Sequence, residues 1–172
     1  MGMGEAVRSV LRSYATFSGR AARPEYWWFV LALFLAQLIA AALDIAVFGI
    51  FFRVTAPDEA LYAAEGPSVF GSLLTLAVFL PMLAVTWRRL HDTGRSGFWA
   101  LLPMGGAMAA VVPFAAILAI GYGNPYNTHD EIFIPLTILM MALAVVPGLV
   151  LLWWLASRGD AGENRYGPVP AH

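Results

Sequence analysis

Four long runs of apolar residues alternate with short polar segments along this chain. The runs extend over about residues 27–52, 69–87, 98–121 and 132–156. Each run can cross the hydrocarbon core of a bilayer, which is roughly 30 Å thick and takes about 20 helical residues. The pattern predicts an all-α membrane protein in which residues 1–172 form a single domain, a bundle of four transmembrane helices.

The residues before the first run have a helical pattern of their own. Arginines and serines alternate there with six apolar residues at helical spacing: Ala6, Val7, Val10, Leu11, Tyr14 and Phe17. The pattern predicts a short amphipathic N-terminal helix that lies on the membrane surface. A helix that packs against other segments on the same side of the membrane explains the pattern equally well.

The basic residues are distributed unevenly about the four runs. Nine of the ten precede the first run, separate the second from the third, or follow the fourth: Arg8, Arg12, Arg20, Arg23, Arg88, Arg89, Arg95, Arg158 and Arg165. Only Arg53 lies on the other side, where the acidic residues Asp58, Glu59, Glu65, Asp130 and Glu131 are found. Because short basic loops stay in the cytoplasm, both termini and the 88–98 loop are predicted to be cytoplasmic.

Composition supports a membrane location and excludes several other kinds of protein. The chain is 60% hydrophobic and 12% charged, with a mean hydropathy of +0.71, which is too apolar for a soluble domain of this size. The first run is too long, and starts too late, for a signal peptide. The absence of cysteine excludes disulfides, thiolate metal ligands and thiol nucleophiles. Nothing in the charge distribution indicates nucleic-acid binding.

Three polar segments lie on the side of the membrane that carries the arginines. They read FSGRAARPEYWW at 17–28, RRLHDTGRSGFW at 88–99 and GENRYGP at 162–168. These segments closely resemble the signatures of the bacterial family known as domain of unknown function 805, and the resemblance spans roughly residues 10–170. At position 98 the family has tryptophan and this chain has phenylalanine. The substitution keeps an aromatic residue at the interface. The resemblance implies a four-helix fold in a bacterial inner membrane and carries no activity.

The polar residues of these segments form a candidate binding cluster. Its members are Arg20, Arg23, Glu25, Arg88, Arg89, His91, Asp92, Arg95, Asn164 and Arg165. Arginines outnumber acids in the cluster, and guanidinium groups match phosphate bidentately, so anionic phospholipid headgroups are a candidate ligand. The favoured explanation is that these residues pair with one another and fix the loops beneath the bundle. Cytoplasmic arginines need no ligand to explain them.

Two features raise the question of catalysis or transport. The adjacent His91 and Asp92 resemble part of a metal-dependent phosphohydrolase site, but further histidine and aspartate ligands are missing, so we predict no metal, no cofactor and no catalytic residue. Asp44 is the one acid inside an apolar run, about 25 Å along a helix from Trp27. An intramembrane acid suggests ion or proton transport. The structural alternatives are a protonated side chain, a bond to a residue such as Thr75 or Tyr122, or contact with outer headgroup water.

Together these features predict a non-enzymatic scaffold or accessory protein. Its cytoplasmic surface of arginine and aromatic residues would bind membrane lipid, in particular anionic phospholipid, or a partner protein. A transporter or lipid translocator is the second hypothesis, and because four helices are few for a transporter, it would require a homo-oligomer. The third hypothesis is an enzyme that acts on a lipid-linked phosphate.

Overall fold

A computed structural model gives the architecture of residues 1–49, 68–123 and 130–170. Within these ranges the regular secondary structure is helical, and the only β-type pairing is an isolated bridge between Asn164 and Gly167. A π-helical turn, Ile45–Gly49, extends the second helix, and a 3₁₀ turn, Gly97–Leu101, precedes the fourth. The helices are α1 (Met3–Arg12), α2 (Arg23–Asp44), α3 (Val69–Asp92), α4 (Leu102–Gly123) and α5 (Asp130–Ala156).

Four helical segments of the described chain are long and apolar enough to cross a membrane. They are Arg23–Phe48, Val69–Asp92, Gly97–Leu118 and Ile134–Ala156. The prediction of an all-helical protein with four membrane spans is therefore confirmed. The predicted end of the first span at residues 50–52 lies outside the described residues, as do Arg53 and most of the two connections on its side of the bundle.

The second span extends one turn beyond its apolar run and ends at Asp92. The prediction of a loop over residues 88–98 is wrong for its first part, because Arg88 to Asp92 are helical. Helix continues there because the polar side chains of this turn find partners inside the protein. Arg89 pairs with Asp92 one turn later, for example, and both side chains are buried. A hydrophobicity pattern marks where apolar residues stop, which need not be where a helix stops.

The spans pack as neighbours in sequence, α2 against α3 and α4 against α5. Gly106 of α4 lies so close to α5 that a β-carbon there would overlap the Leu143 carbonyl and Pro147. Gly105, the preceding residue, faces open space. Small residues that let two backbones approach closely are a common way for membrane helices to pack.

A compact apolar core joins α1 to three of the spans. It comprises Val10, Ala21, Tyr26, Phe29, Val85, Leu90 and Leu155. Ala6 and Val10 of α1 are completely buried, so this helix packs on the spans through one face. The structure thus favours the second explanation of the N-terminal pattern, in which α1 packs against other segments. Contact between its outer face and a membrane surface stays a prediction.

Segments distant in sequence meet at one end of the bundle. The Ala21 amide donates to the Arg88 carbonyl at 3.0 Å, and the Asp160 amide donates to the Asp92 carbonyl at 2.8 Å. The residues before α2 and after α5 are thereby attached to the last turn of α3. We call this region, which consists of α1, residues 13–28, 88–99 and 153–170, the arginine end. The segment 157–170 within it is called the tail.

Candidate functional site

Asp92 lies at the centre of a buried network at the arginine end. One of its carboxylate oxygens accepts a hydrogen bond from Nε of Arg20 at 2.9 Å and lies 2.8 Å from Nη2 of the same residue. The other carboxylate oxygen forms an ion pair with Arg89. All three residues are more than nine-tenths buried. Two guanidinium groups against one carboxylate leave a formal excess of one positive charge. We call Arg20, Arg89, Asp92 and the tail carbonyls that they contact the tail network.

Arg20 attaches the residues before α2 to the tail. Its Nη1 donates to the carbonyls of Gly162 at 2.7 Å and Gly167 at 3.3 Å, and its Nη2 donates to the carbonyl of Asp160 at 2.6 Å. Together with the bonds to Asp92, these contacts give every nitrogen of the guanidinium group an acceptor. Arg20 therefore has no free donor for an external ligand.

Arg89 caps the C-terminus of α5. Its Nε donates to the Leu155 carbonyl at 3.0 Å, and its Nη2 donates to the Ser157 carbonyl. The last carbonyls of a helix have no partner within the helix, and a cation near them also interacts favourably with the helix dipole. The last turn of α5 has no basic residue of its own, so Arg89 of α3 supplies the cap.

A glycine in the tail makes room for the centre of the network. A β-carbon at Gly159 would overlap the Asp92 carboxylate, whereas one at Gly162 would meet nothing. Gly159 is thus a residue on which the network depends, although it lies outside the three sequence segments. Its only signal in the sequence is a position three residues beyond the last apolar run.

Asn164 and His91 fix the shape of the tail. Nδ2 of Asn164 donates to the His91 carbonyl at 3.0 Å and to the Asp160 carboxylate at 2.8 Å, and the Asn164 backbone forms a two-way bridge with Gly167. The His91 ring stacks on Tyr166 with ring centroids 3.8 Å apart, and its Nδ1 lies 3.1 Å from the Gly19 carbonyl. These bonds give both residues a structural role.

Glu25 and Arg88 form a separate pair on the other face of α3. Oε1 of Glu25 accepts the Ser9 hydroxyl at 2.9 Å and lies 3.4 Å from Nη1 of Arg88. Nε and Nη2 of Arg88 are buried and have no partner among the described residues. This pair, which we call the Glu25 pair, connects α1, α2 and α3, and its side chains make none of the contacts of the tail network.

The remaining arginines of the predicted cluster lie at its edge. The Arg95 guanidinium is 4.9 Å above the Trp154 ring, and that of Arg165 is 4.7 Å above the Tyr166 ring. Arg165 also donates to the Gly94 carbonyl at 3.3 Å. Arg23 is exposed in the first turn of α2. The structure therefore brings all ten predicted residues to one end of the bundle. It divides them between the network, the Glu25 pair, the edge, and the two residues that shape the tail, His91 and Asn164.

A groove of about 390 Å³ lies over the tail network, between the start of α2 and the tail. Two exposed arginines line it, Arg23 from α2 and Arg158 from the tail. Neither makes an ion pair or a side-chain hydrogen bond with the residues that the structure describes. Asp160 contributes an exposed carboxylate to the groove, and one of its oxygens accepts a hydrogen bond from Nδ2 of Asn164. Arg158 is absent from the sequence-based cluster because it belongs to none of the three segments.

Asp44 caps the N-terminus of α3 from the neighbouring helix. Its two carboxylate oxygens accept the backbone amides of Phe70 at 2.8 Å and Gly71 at 3.0 Å, and the side chain of Ser68, the N-cap residue, makes no capping bond. Of the alternatives considered for Asp44, a bond to Thr75 is not formed, because Thr75 bonds to Gln37 and to the Gly71 carbonyl. The Tyr122 side chain lies outside the described residues. These bonds favour a structural role for Asp44.

Four apolar spans with a polar network at one end define an all-α, multi-pass membrane protein. The family model described as "Protein of unknown function (DUF805)" matches residues 14–168. The chain therefore belongs to this family, as its three polar segments predicted.

Relatives from Escherichia coli K12 agree with this assignment. The chain is 34% identical to the inner membrane protein YhaI and 30% identical to the inner membrane protein YhaH, and each match covers 94% of this chain and 92% of the relative. It is also 26% identical to the protein YiiR over 88% of this chain and 84% of that protein. No solved structure matches the chain. With its four spans, the chain is a multi-pass inner-membrane protein.

Proposed function

We propose that this protein is a non-enzymatic scaffold or accessory protein of the inner membrane whose arginine end faces the cytoplasm and binds the phosphate of an anionic phospholipid. One observation carries the proposal. Arg23 and Arg158 are exposed in a single groove above a network with a formal excess of positive charge. They belong to the beginning of the first span and the residues just after the last, so a ligand held by both would link these two parts of the chain.

Guanidinium groups and their depth in the membrane point to a phosphate of the inner leaflet. The planar fork of arginine donates two parallel hydrogen bonds to phosphate oxygens. Trp27 and Trp28 follow Arg23 on α2, and tryptophan is enriched at the level of the headgroups. The cytoplasmic leaflet carries anionic lipids that attract such basic residues.

The bonds of His91 and Asp92 argue for binding rather than catalysis. The His91 ring is stacked on Tyr166 and bonded to a backbone carbonyl, and Asp92 accepts two guanidinium groups. Neither is positioned as a free acid or base at the groove. Arg89, expected from the sequence as a phosphate ligand, has acceptors for all its nitrogens, so the proposed ligands of the phosphate are Arg23 and Arg158.

The orientation can be tested by labelling single cysteines, because the native chain has none. Glu163 is exposed at the arginine end and Ser68 is exposed at the start of α3, at the opposite end of that helix. We expect an impermeant maleimide to react with Ser68→Cys in cells whose outer membrane alone is opened. Glu163→Cys should react only after the inner membrane is also permeabilised. The reverse result would invert the proposed orientation.

Lipid binding can be tested by native mass spectrometry of the purified protein after titration with phosphatidylglycerol. Each arginine near a membrane surface contributes about 1 kcal/mol, so Arg23→Ala and Arg158→Ala should each lower retention about fivefold. Arg12→Ala is a matched control, because Arg12 is exposed on α1 outside this groove. Arg23→Lys keeps the charge and should still bind less than wild type. Retention equal to that of Arg12→Ala in both alanine variants would refute the site.

A further inference from the structure

The groove at the arginine end continues onto the membrane-facing surface of the first span. A second groove, of about 440 Å³, is lined by Arg23, Pro24, Trp27, Trp28 and Leu31. Arg23 and Pro24 line both grooves, so the two adjoin at the first turn of α2. We call them the arginine groove and the tryptophan groove.

The chemistry of the surface changes in a fixed order along the two grooves. Arg158 and Arg23 provide positive charge in the first, and the indole rings of Trp27 and Trp28 follow in the second. Leu31 is eight residues beyond Arg23, which corresponds to about 12 Å along the helix axis. The surface thus passes from guanidinium to indole to aliphatic side chain in the direction from the headgroups toward the hydrocarbon.

Trp27 has a hydrogen-bond donor that the protein does not use. Its Nε1 is buried and has no partner within the part of the chain that the structure describes. Buried indole N–H groups normally have an acceptor, because an unsatisfied buried donor is costly. The ring lines the tryptophan groove next to Arg23, so a rotation of the indole would bring Nε1 to an acceptor on a bound molecule, between its phosphate and its apolar part.

We infer that one anionic diacyl glycerophospholipid occupies both grooves. Its phosphate lies between Arg23 and Arg158, and one acyl chain lies along Trp28 and Leu31. An ester carbonyl accepts a hydrogen bond from Nε1 of Trp27 once the indole has turned to bring this nitrogen to the groove. The inference rests on the proposed function, phosphate binding at Arg23 and Arg158, and specifies the class of lipid that carries the phosphate. Along such a lipid the order is phosphate, ester, acyl chain. The groups that would contact them have the same order on the protein: guanidinium, indole, leucine. Free phosphate or a soluble phosphate ester has no part that would fill the tryptophan groove.

The ester contact can be tested with two lipids that differ only in their linkage. The full-length protein is titrated with dioleoyl phosphatidylglycerol and with its ether-linked analogue, which lacks both carbonyl oxygens, and retention is measured by native mass spectrometry. Trp27→Phe keeps an aromatic ring and removes the N–H donor. We expect wild type to retain the ester lipid about fivefold better than the ether lipid, the effect of one hydrogen bond, and Trp27→Phe to retain both equally. Trp153→Phe is the control, since Trp153 is 68% exposed on α5 and lines neither groove.

The chain contact has its own variant, which remains informative if Trp27→Phe folds poorly. Leu31→Trp would fill the apolar end of the tryptophan groove and should lower retention of phosphatidylglycerol several-fold. Leu152→Trp places the same ring at an exposed site outside both grooves and should not lower it. Unfolding transitions of all variants, measured in the same detergent, identify any that are misfolded.

The outcomes separate this inference from the proposed function. Equal retention of ester and ether lipids by wild type, or full displacement of phosphatidylglycerol by millimolar glycerol phosphate, would overturn the two-groove lipid site. If Arg23→Ala and Arg158→Ala still weakened binding in that case, the phosphate site itself would stand. Unchanged binding in both arginine variants would refute the proposed function as well.

Discussion

Two buried arginines stand side by side at the end of α3, and their surroundings differ. Arg89 is fully buried, and each of its three nitrogens has an acceptor, namely Asp92 and the carbonyls of Leu155 and Ser157. Arg88 is 6% exposed, yet its closest ion-pair contact is 3.4 Å to Glu25, and two of its nitrogens have no partner among the described residues. Two arginines of the same helix therefore differ in their hydrogen bonding: Arg89 is fully bonded on its face of α3, and Arg88 is poorly bonded on its own.

The difference follows from what each face of α3 meets. Consecutive residues of a helix point about 100° apart, because there are 3.6 residues per turn. Arg89 meets the end of α5 and the tail, where backbone carbonyls are free to accept hydrogen bonds. Arg88 meets Glu25 of α2, whose internal carbonyls are already bonded within the helix, so one carboxylate is its main acceptor. The availability of unpaired backbone groups decides how well a buried charge is satisfied.

Removal of the Arg89 side chain should have the largest effect. Arg89→Ala leaves Asp92 with one guanidinium partner and α5 without its cap, and we expect a loss of about 3–5 kcal/mol in the free energy of unfolding. Arg89→Lys keeps the charge, but its donors all lie on one nitrogen and cannot reach the three separate acceptors of the guanidinium group, so it should lose a large part of the same amount. Arg12→Ala, on the exposed face of α1, is the control.

The measurement is unfolding by dodecyl sulfate in mixed micelles, followed by circular dichroism. A transition of Arg89→Ala that coincided with that of Arg12→Ala would show that the network contributes little to stability. The contrast between the two arginines would then be geometric only.

A methyl group added at the centre of the network should have the next largest effect. Gly159→Ala places a β-carbon in the space of the Asp92 carboxylate, and we expect a loss of about 1–3 kcal/mol, as for other overpacked sites. Gly162→Ala, three residues later in the same tail, adds the same methyl group in open space. Both variants are compared in the same unfolding assay, and an equal loss in the two would refute the close approach at Gly159.

Much of the fold could be predicted from the sequence. The apolar runs mark the spans, and the uneven distribution of arginines marks one end of the bundle, because both patterns are formed by side chains. The partners of Arg89 could not be predicted, because Leu155 and Ser157 contribute backbone carbonyls 66 and 68 residues away. Carbonyl groups belong to every residue and leave no mark in a sequence. A comparison of arginines with acids therefore suggested a surplus of positive charge available for phosphate, although the tail carbonyls accept much of it.

The same reason explains two other differences between the expectations and the structure. The structural alternatives for Asp44 were protonation, a polar side-chain partner or headgroup water, and its partners are instead the amides of Phe70 and Gly71 at the start of a helix. Arg158 lies just beyond α5, in no recognisable segment, and only the folding of the tail places it in the same groove as Arg23. Predictions from side-chain types succeeded for the four spans and failed for contacts with the backbone.

The coupling within the Glu25 pair should be smaller than the coupling within the tail network. Double-mutant cycles with Glu25→Gln and Arg88→Met should give an interaction energy below about 1 kcal/mol, whereas Arg20→Met with Asp92→Asn should give about 2–3 kcal/mol. Replacement of both members of a poorly bonded buried ion pair can also stabilise a protein. A Glu25–Arg88 coupling as large as that of Arg20 and Asp92 would contradict this prediction. The longer N–O distance and the unpartnered nitrogens of Arg88 would then not indicate a weaker ion pair.

The smallest effect is expected at the edge of the arginine end, where Arg165 lies above the Tyr166 ring. Its guanidinium is 4.7 Å from the ring centroid and 3.3 Å from the Gly94 carbonyl, and the residue is exposed. Exposed cation–π contacts contribute about 0.5–1 kcal/mol, so Arg165→Ala should lower stability by no more than this. Tyr166→Leu also removes the ring that stacks on buried His91 and should cost more. If Arg165→Ala instead destabilised the protein as much as Gly159→Ala, Arg165 would belong to the tail network, and the boundary between that network and its edge would have to move outward.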